Sequence, residues 1–167
     1  MNRIAAFEKV SPGQFSRDWQ NIFGQEPEAS VLESLSLPRR ATKGSAGYDF
    51  YLPCDITLRP GEGCLIPTGV RCHMDEGWVL QLYPRSGLGF KYRLQMDNTV
   101  GIIDSDYYGS DNEGHIMARL TNDSRSGRIL ELKAGTAFMQ GVFVSFGITI
   151  DDDAAAERNG GFGSTGI

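Results

Sequence analysis

Eight short apolar runs, each bounded by glycine, proline or polar turns, leave this chain little choice of architecture. They are Tyr48–Leu52, Cys64–Pro67, Val70–Met74, Val79–Tyr83, Val100–Ile103, Ile116–Leu120, Ile129–Leu132 and Phe138–Ile150. Several are rich in β-formers or alternate in polarity, as half-buried strands do. The last is the most regular: Val142, Val144, Phe146, Ile148 and Ile150 alternate with Gly, Phe, Ser, Gly and Thr. Many short strands at this spacing predict an all-β, jelly-roll-like barrel or sandwich. The 21 glycines in 167 residues fit that reading, because tight turns need φ > 0.

Ahead of the β region the sequence predicts a single helix. Ser11 is the N-cap, Pro12 the first helical residue, Gln14 the partner in a capping box and Gly24 the stop. Phe15, Trp19, Ile22 and Phe23 fall on one face, for packing on the body or on a neighbouring subunit. Gln25 to Ser30 reads as a polar linker. The expected organisation is therefore a helical extension over 1–34, a β domain over 35–150, and a linker with a Gly-rich arm over 151–167.

Charge and composition exclude several functions. A net charge of −5 makes the chain a poor ligand for long nucleic acids, though a local cluster of donors can still hold a small anion. No apolar run approaches the roughly 18 residues of a membrane helix, and MNRIAAFEKVSPGQ lacks the apolar centre of a secretory signal. A cytoplasmic protein is expected. Cys54, Cys64 and Cys72 are odd in number and contain no CxxC pair, so three reduced thiols in β structure are expected. With only His73 and His115, a zinc cluster or Ser-His-Asp triad has little to draw on.

Four segments carry residues suited to chemistry. Gly44–Asp49 ends on a carboxylate, which alone fits a turn as well as a ligand. Pro84–Gly89 follows an apolar strand with a guanidinium, a hydroxyl and glycine-flanked N–H groups, the donors a phosphate chain needs; a surface turn has the same look. Asn98–Gly109 runs a hydrophobic strand into Asp104, Asp106, Tyr107 and Tyr108. A carboxylate there can orient and deprotonate water, and a tyrosine can pack on a sugar or base; solvated acids in a hairpin are the plainer alternative. Arg158–Gly166 surrounds one phenylalanine with four glycines. It fits either a disordered tail or an arm that caps a flat base while its N–H groups meet phosphates. No lysine follows the glycines, so it is not a Walker A loop.

In this order, the segments resemble the motifs of the trimeric dUTPases. AGYDF is similar to their first motif, PRSGLG to the second, NTVGIIDSDYYG to the third, AGTAFMQ to the fourth and RNGGFGSTG to the fifth. The likeness covers about Leu37 to Ile167. Each motif is short, and their order makes the resemblance specific.

The resemblance implies a jelly-roll homotrimer whose three active sites are shared between subunits. It implies hydrolysis of dUTP to dUMP and pyrophosphate, which limits uracil in DNA and supplies dUMP for dTMP synthesis. By this analogy Asp104 activates the attacking water and Tyr107 packs under the deoxyribose, leaving no room for a 2′-hydroxyl. Asn98, Gly101 and Ile103 belong to the hairpin that reads uracil, largely through backbone groups. Arg85, Ser86 and Gly87 line the phosphates, and Gln140 lies near the α-phosphate. Phe162 stacks over uracil, while Arg158, Gly163, Ser164 and Thr165 serve the tail's substrate contacts. Mg²⁺ binds mainly triphosphate oxygens and waters, with Asp49 reaching it through water.

Four departures from the family pattern stand out. The fourth motif has Gly135-Thr136-Ala137 where Gly-Asp-Arg is usual. Tyr108 replaces an arginine that follows the motif tyrosine. Asp111–Gly114 is a short insertion, and the tail is one residue shorter between Arg158 and its Gly-Gly-Phe. Two alternatives share the fold: a dCTP deaminase-related enzyme, for which no ring-directed glutamate is found in the third segment, and a catalytically inactive dUTP-binding regulator.

Overall fold

A β-bulge in the longest strand does most to set the geometry of this molecule. The computed structural model describes residues 2–156 and 160. In chain order its elements are β1 (Ala5–Lys9), α1 (Pro12–Phe23), α2 (Ala29–Ser34), β2 (Arg39–Arg40), β3 (Tyr48–Tyr51), β4 (Ile56–Leu58), β5 (Gly63–Pro67), β6 (Val70–Met74), β7 (Trp78–Pro84), α3 (Ser86–Tyr92), β8 (Leu94–Met96) and β9 (Gly101–Ile103). A 3-10 helix (Ser105–Gly109), β10 (Met117–Asn122), β11 (Leu130–Leu132) and β12 (Ala137–Ser145) complete them. The main sheet has the order β2-β3-β12-β7-β9, a second has β5-β10-β8, and β11-β4 and β1-β6 form two ribbons. These pairings are antiparallel. Non-consecutive neighbours of this kind give the jelly-roll-like, all-β class expected from the turn spacing.

The bulge lies where β12 meets β3. Ala137 faces Tyr51 and Met139 faces Phe50, so two residues of β12 oppose one of β3. An extra residue slips the inward-outward alternation by one. Consecutive Phe138 and Met139 are consequently both fully buried. They join Phe50, Leu80 and Leu82 of the same sheet, and Ile66, Leu94 and Leu120 of the facing one, in a single core. Each such side chain contributes about 1.5–3 kcal/mol when fully buried.

The N-terminal part differs from the single helix expected. β1 precedes the helix, pairs along β6 and inserts Phe7 among Tyr48, Phe50 and Phe143 at ring distances of 5.2–5.8 Å. Five residues with one aromatic carry no local strand signal; the cross-strand neighbours supply it. Part of the expected polar linker becomes α2.

Helix α1 has the expected caps: Ser11 Oγ accepts the Gln14 N–H, and Gly24 is left-handed at φ 73°. Its capping box is not reciprocal, however. Gln14 turns to Asp18 and Arg17, and the Ser11 N–H donates instead to Glu113 at 2.7 Å. Phe15 and Trp19 are buried with Val10 and Leu35, whereas Ile22 is half-buried and Phe23 exposed. The predicted apolar stripe is thus only half used within one chain.

β12 also ends earlier than its alternation suggests, at Ser145. Val144, Phe146, Ile148 and Ile150 are exposed on the single chain, and the buried side of the strand is carried by Phe138, Met139 and Gly141.

The three cysteines form no disulfide. Burial pushes the Cys64 thiol up to about 11 and the Cys72 thiol up to about 12. Since the thiolate is the reactive form, both should alkylate at pH 8 about a hundredfold more slowly in the native protein than after denaturation. Iodoacetamide labelling followed by peptide mass spectrometry checks this; equal rates in the two states would contradict the burial argument.

Candidate functional site

Three motifs meet at one end of the main sheet. The bulge places Gln140 opposite Asp49 of β3 on one side and Tyr83 of β7 on the other. One residue later β7 ends, and Arg85 caps α3, held to β12 by its N–H donating to the Phe138 carbonyl at 3.1 Å. Its guanidinium Nε lies 3.4 Å from Asp49 Oδ1. A side chain on Gly47 would collide with the Gln140 amide, so this glycine leaves the amide room. Arg85, Ser86 and Gly87 are exposed. A Cβ added to Gly87 or Gly89 would meet nothing within 4 Å, so internal packing does not require either glycine. The corner offers a guanidinium, a hydroxyl and the first N–H groups of a helix turn, all donors for an anion. The sequence suggested a turn at 84–89; it is the start of α3.

The third segment forms a second corner. Asn98 is exposed at the tip between β8 and β9, where Thr99 adopts φ 69° and donates its N–H to the Met96 carbonyl. Gly101 and Ile103 are buried and pair with Leu82 and Leu80 of β7. A Cβ at Gly101 would approach Leu82 Cβ to 2.9 Å. Asp104 caps the 3-10 helix and is half-buried. Tyr107 is 4% exposed; its hydroxyl donates to the His115 carbonyl at 2.9 Å and accepts from Asn112 Nδ2 at 2.8 Å.

The two corners are not brought together within one chain. β9 pairs Ile103 with Leu80 and Gly101 with Leu82, which sets Asp104 beside the Trp78 end of β7. Arg85 follows the other end, roughly 20 Å along an extended strand. Arg158, Phe162, Gly163, Ser164 and Thr165 lie outside the described residues.

Three of the four departures from the family pattern fall on described residues, and each makes local contacts. Around Gly135-Thr136, the turn is tied by Leu52 N–H to the Thr136 carbonyl and Gly135 N–H to the Leu52 carbonyl. Asp55 adds bonds from Lys133 Nζ at 2.6 Å and Ala134 N–H at 2.8 Å. Tyr108 donates to Glu8 at 2.8 Å and lies under the Arg71 guanidinium, 4.2 Å from its ring centre, while Arg71 pairs with Glu8 at 2.9 Å. Those two hydrogen bonds, Tyr108 first, hold the Glu8 carboxyl below its usual range. The turn over 111–114 supplies Asn112 to Tyr107 and Glu113 to the N-cap of α1. Sequence reasoning passed over Asp18, Asn112 and His115. The only sign of them was the insertion and the scarcity of histidine.

A jelly-roll-like β body with a carboxylate–tyrosine corner and a separate guanidinium–amide corner defines a protein whose polar site is divided. The family model for dUTPase matches residues 33–166. The deoxyuridine 5′-triphosphate nucleotidohydrolase of Lactococcus lactis is 42% identical over 135 residues, covering 79% of this chain and 89% of that protein. A crystal structure of dUTPase from Streptococcus mutans superposes with a TM-score of 0.64 at 34% identity, over 88% of this chain and 99% of its own. A mutant dUTPase from phage phi11 of S. aureus, in which a structural Mg(II) ion is coordinated, has the same fold, with a TM-score of 0.65 at 20% identity over 92% and 98% of the two chains. The chain belongs to the dUTPase family. None of its described helices is long and apolar enough to cross a membrane.

Proposed function

We propose that this protein hydrolyses dUTP to dUMP and pyrophosphate, by water attack on the α-phosphorus in line with the departing pyrophosphate. Membership of a family whose relatives are named for this activity carries the reading, and the geometry is consistent with it. Asp104, at the end of β9, orients the water and takes its proton. The hairpin tip with Asn98 and the backbones of Gly101 and Ile103 read the base. β9 spans three residues, about 10 Å, which is the scale separating a base edge from the first phosphate. Tyr107 forms the wall under the deoxyribose. Arg85, Ser86 and Gly87 bind the phosphate chain, with Gln140 beside the α-phosphate. Arg158, Phe162, Gly163, Ser164 and Thr165 close over the substrate. Most of the rate enhancement comes from positioning and charge neutralisation, as in other phosphoryl transfers.

No group of three or more His, Cys, Asp or Glu suited to a metal occurs among the described residues. The carboxylate at the phosphate corner is Asp49, 3.4 Å from Arg85, and it would hold Mg²⁺ through water, with triphosphate oxygens as the other ligands. When bound, the ion would neutralise charge on the phosphates.

The active unit in this reading is a homotrimer. Two observations support it: the separation of Asp104 from Arg85 along β7, and the exposed apolar residues Val144, Phe146, Ile148 and Ile150.

Pyrophosphate release from dUTP, UTP, dTTP and dCTP, with and without Mg²⁺, tests the proposal. Release from dUTP with Mg²⁺ is expected, with little from the other three. Binding of dUTP without release would indicate the inactive regulator, and ammonia from dCTP the deaminase.

A further inference from the structure

The Tyr107 hydroxyl is bonded from two sides by residues that lead to helix α1. His115 takes its hydrogen through the backbone carbonyl, and Asn112 donates to its oxygen. His115 is completely buried. Its Nε2 accepts the Gly69 N–H at 2.8 Å, so the ring proton belongs on Nδ1, which donates to Asp18 Oδ2 at 2.6 Å. Phe15 of α1 packs against the same ring at 6.0 Å. Asp18 is fixed in turn by Gln14 Nε2 at 2.9 Å. Burial opposes its ionisation, but the bonds from His115 and Gln14 outweigh this and lower its pKa.

The insertion closes the arrangement. Asn112 Oδ1 accepts the Gly114 N–H and the Ser110 hydroxyl, which orients its amide toward Tyr107. Glu113 accepts both the N–H and the hydroxyl of Ser11, at 2.7 and 2.6 Å. Gly114 makes the turn possible: at φ 70°, a Cβ there would lie 2.7 Å from the Tyr107 carbonyl oxygen. The N-terminal helix is therefore tied to the tyrosine's surroundings at two points: Ser11 to Glu113 of the insertion, and Asp18 to His115 just after it.

We propose that Asp18, His115 and Asn112 are positioning residues for Tyr107, so that α1 acts as a buttress for the wall that excludes a ribose 2′-hydroxyl. This rests on the contact between Tyr107 and deoxyribose proposed above. A phenol held from both sides cannot tilt without losing a hydrogen bond. A loosened ring admits the extra hydroxyl and holds the sugar less well, while the base and phosphate contacts are unchanged.

The test compares Asn112→Ala, Asp18→Ala and Asp18→Asn with the wild-type enzyme in Mg²⁺, measuring kcat and KM for dUTP and UTP and the melting temperature. The asparagine variant keeps an oxygen for His115 Nδ1–H. Asn112→Ala and Asp18→Ala should each reduce the dUTP-over-UTP ratio of kcat/KM about fivefold, the scale of one net hydrogen bond, mainly through a higher KM for dUTP. Asp18→Asn should restore most of it. In a Tyr107→Phe background Asn112→Ala should add nothing further, because its target is gone. Lower melting temperatures with unchanged discrimination and KM would overturn the proposal, as would an Asn112→Ala effect that persists undiminished with Phe at 107. Should Asp18→Ala not fold, Asn112→Ala, whose side chain is half-buried, decides the matter. Wild-type protein that releases no pyrophosphate from dUTP would instead sink the functional reading itself.

Discussion

Replacing Asp104 with asparagine should lower kcat for dUTP by about three orders of magnitude and leave KM within about threefold, as expected for removing a positioned general base. Asparagine matches aspartate in size and can still orient a water, but it cannot take the water's proton at neutral pH. The fold should tolerate the change. Asp104 is the N-cap of a five-residue 3-10 helix, and the Tyr107 N–H closes that turn onto the Asp104 backbone carbonyl, a bond that asparagine keeps. The melting temperature should therefore shift little while turnover collapses. Steady-state pyrophosphate release and a thermal scan of the same preparations give both quantities. Near-wild-type turnover in Asp104→Asn would remove this carboxylate from the mechanism.

Mixing two inactive variants should restore activity. In the proposed mechanism Asp104→Asn lacks the base and Arg85→Ala the phosphate contact, so each variant alone should be nearly dead. If a site takes Asp104 from one chain and Arg85 from its neighbour, some sites in mixed trimers combine an intact Asp104 with an intact Arg85. With random assembly from equal amounts, about a quarter of the sites are complete. Purifying co-expressed, differently tagged chains through both tags removes the unmixed trimers and should raise this to about a third, one complete site in each mixed trimer. A site built within one chain would show no recovery, because neither variant carries both groups. The physical basis is the register of β9 on β7: Asp104 and Arg85 sit at opposite ends of one strand. No side-chain rotamer spans that length.

Much of the β body was legible from local pattern. β6 has the boundaries that its apolar run predicts, and β7 differs by one residue at each end. Glycine and proline mark turns through backbone conformation alone, so their signal survives without tertiary context. The caps of α1 were equally local, as Ser11, Pro12 and Gly24 act within one helical turn. Short elements were missed where pairing is their only support. β1, β2, β4 and β8 have two to five residues each, too few for periodicity to show. The alternation of β12 was visible, but its consequence was not. Its apolar residues from Val144 onward face outward on the single chain, and the bulge at Phe138–Met139 sets which side is core.

The same division holds at the site. Asp49, Arg85, Asp104, Tyr107 and Gln140 were identifiable because each lies in a short motif whose order along the chain identifies the dUTPase family. Their grouping was not. The bulge aligns Gln140 with Asp49, and strand register keeps Asp104 away from Arg85, both effects of pairing between residues far apart in sequence. Asp18 and His115, 97 residues apart, meet at 2.6 Å without any motif to announce them. Sequence alone determined the β class, the helix caps and the chemical groups available, since these depend on backbone propensity and residue identity. The tertiary structure decided which of those groups share a corner, and that Asp18 of α1 meets His115, because such contacts exist only once distant segments pack.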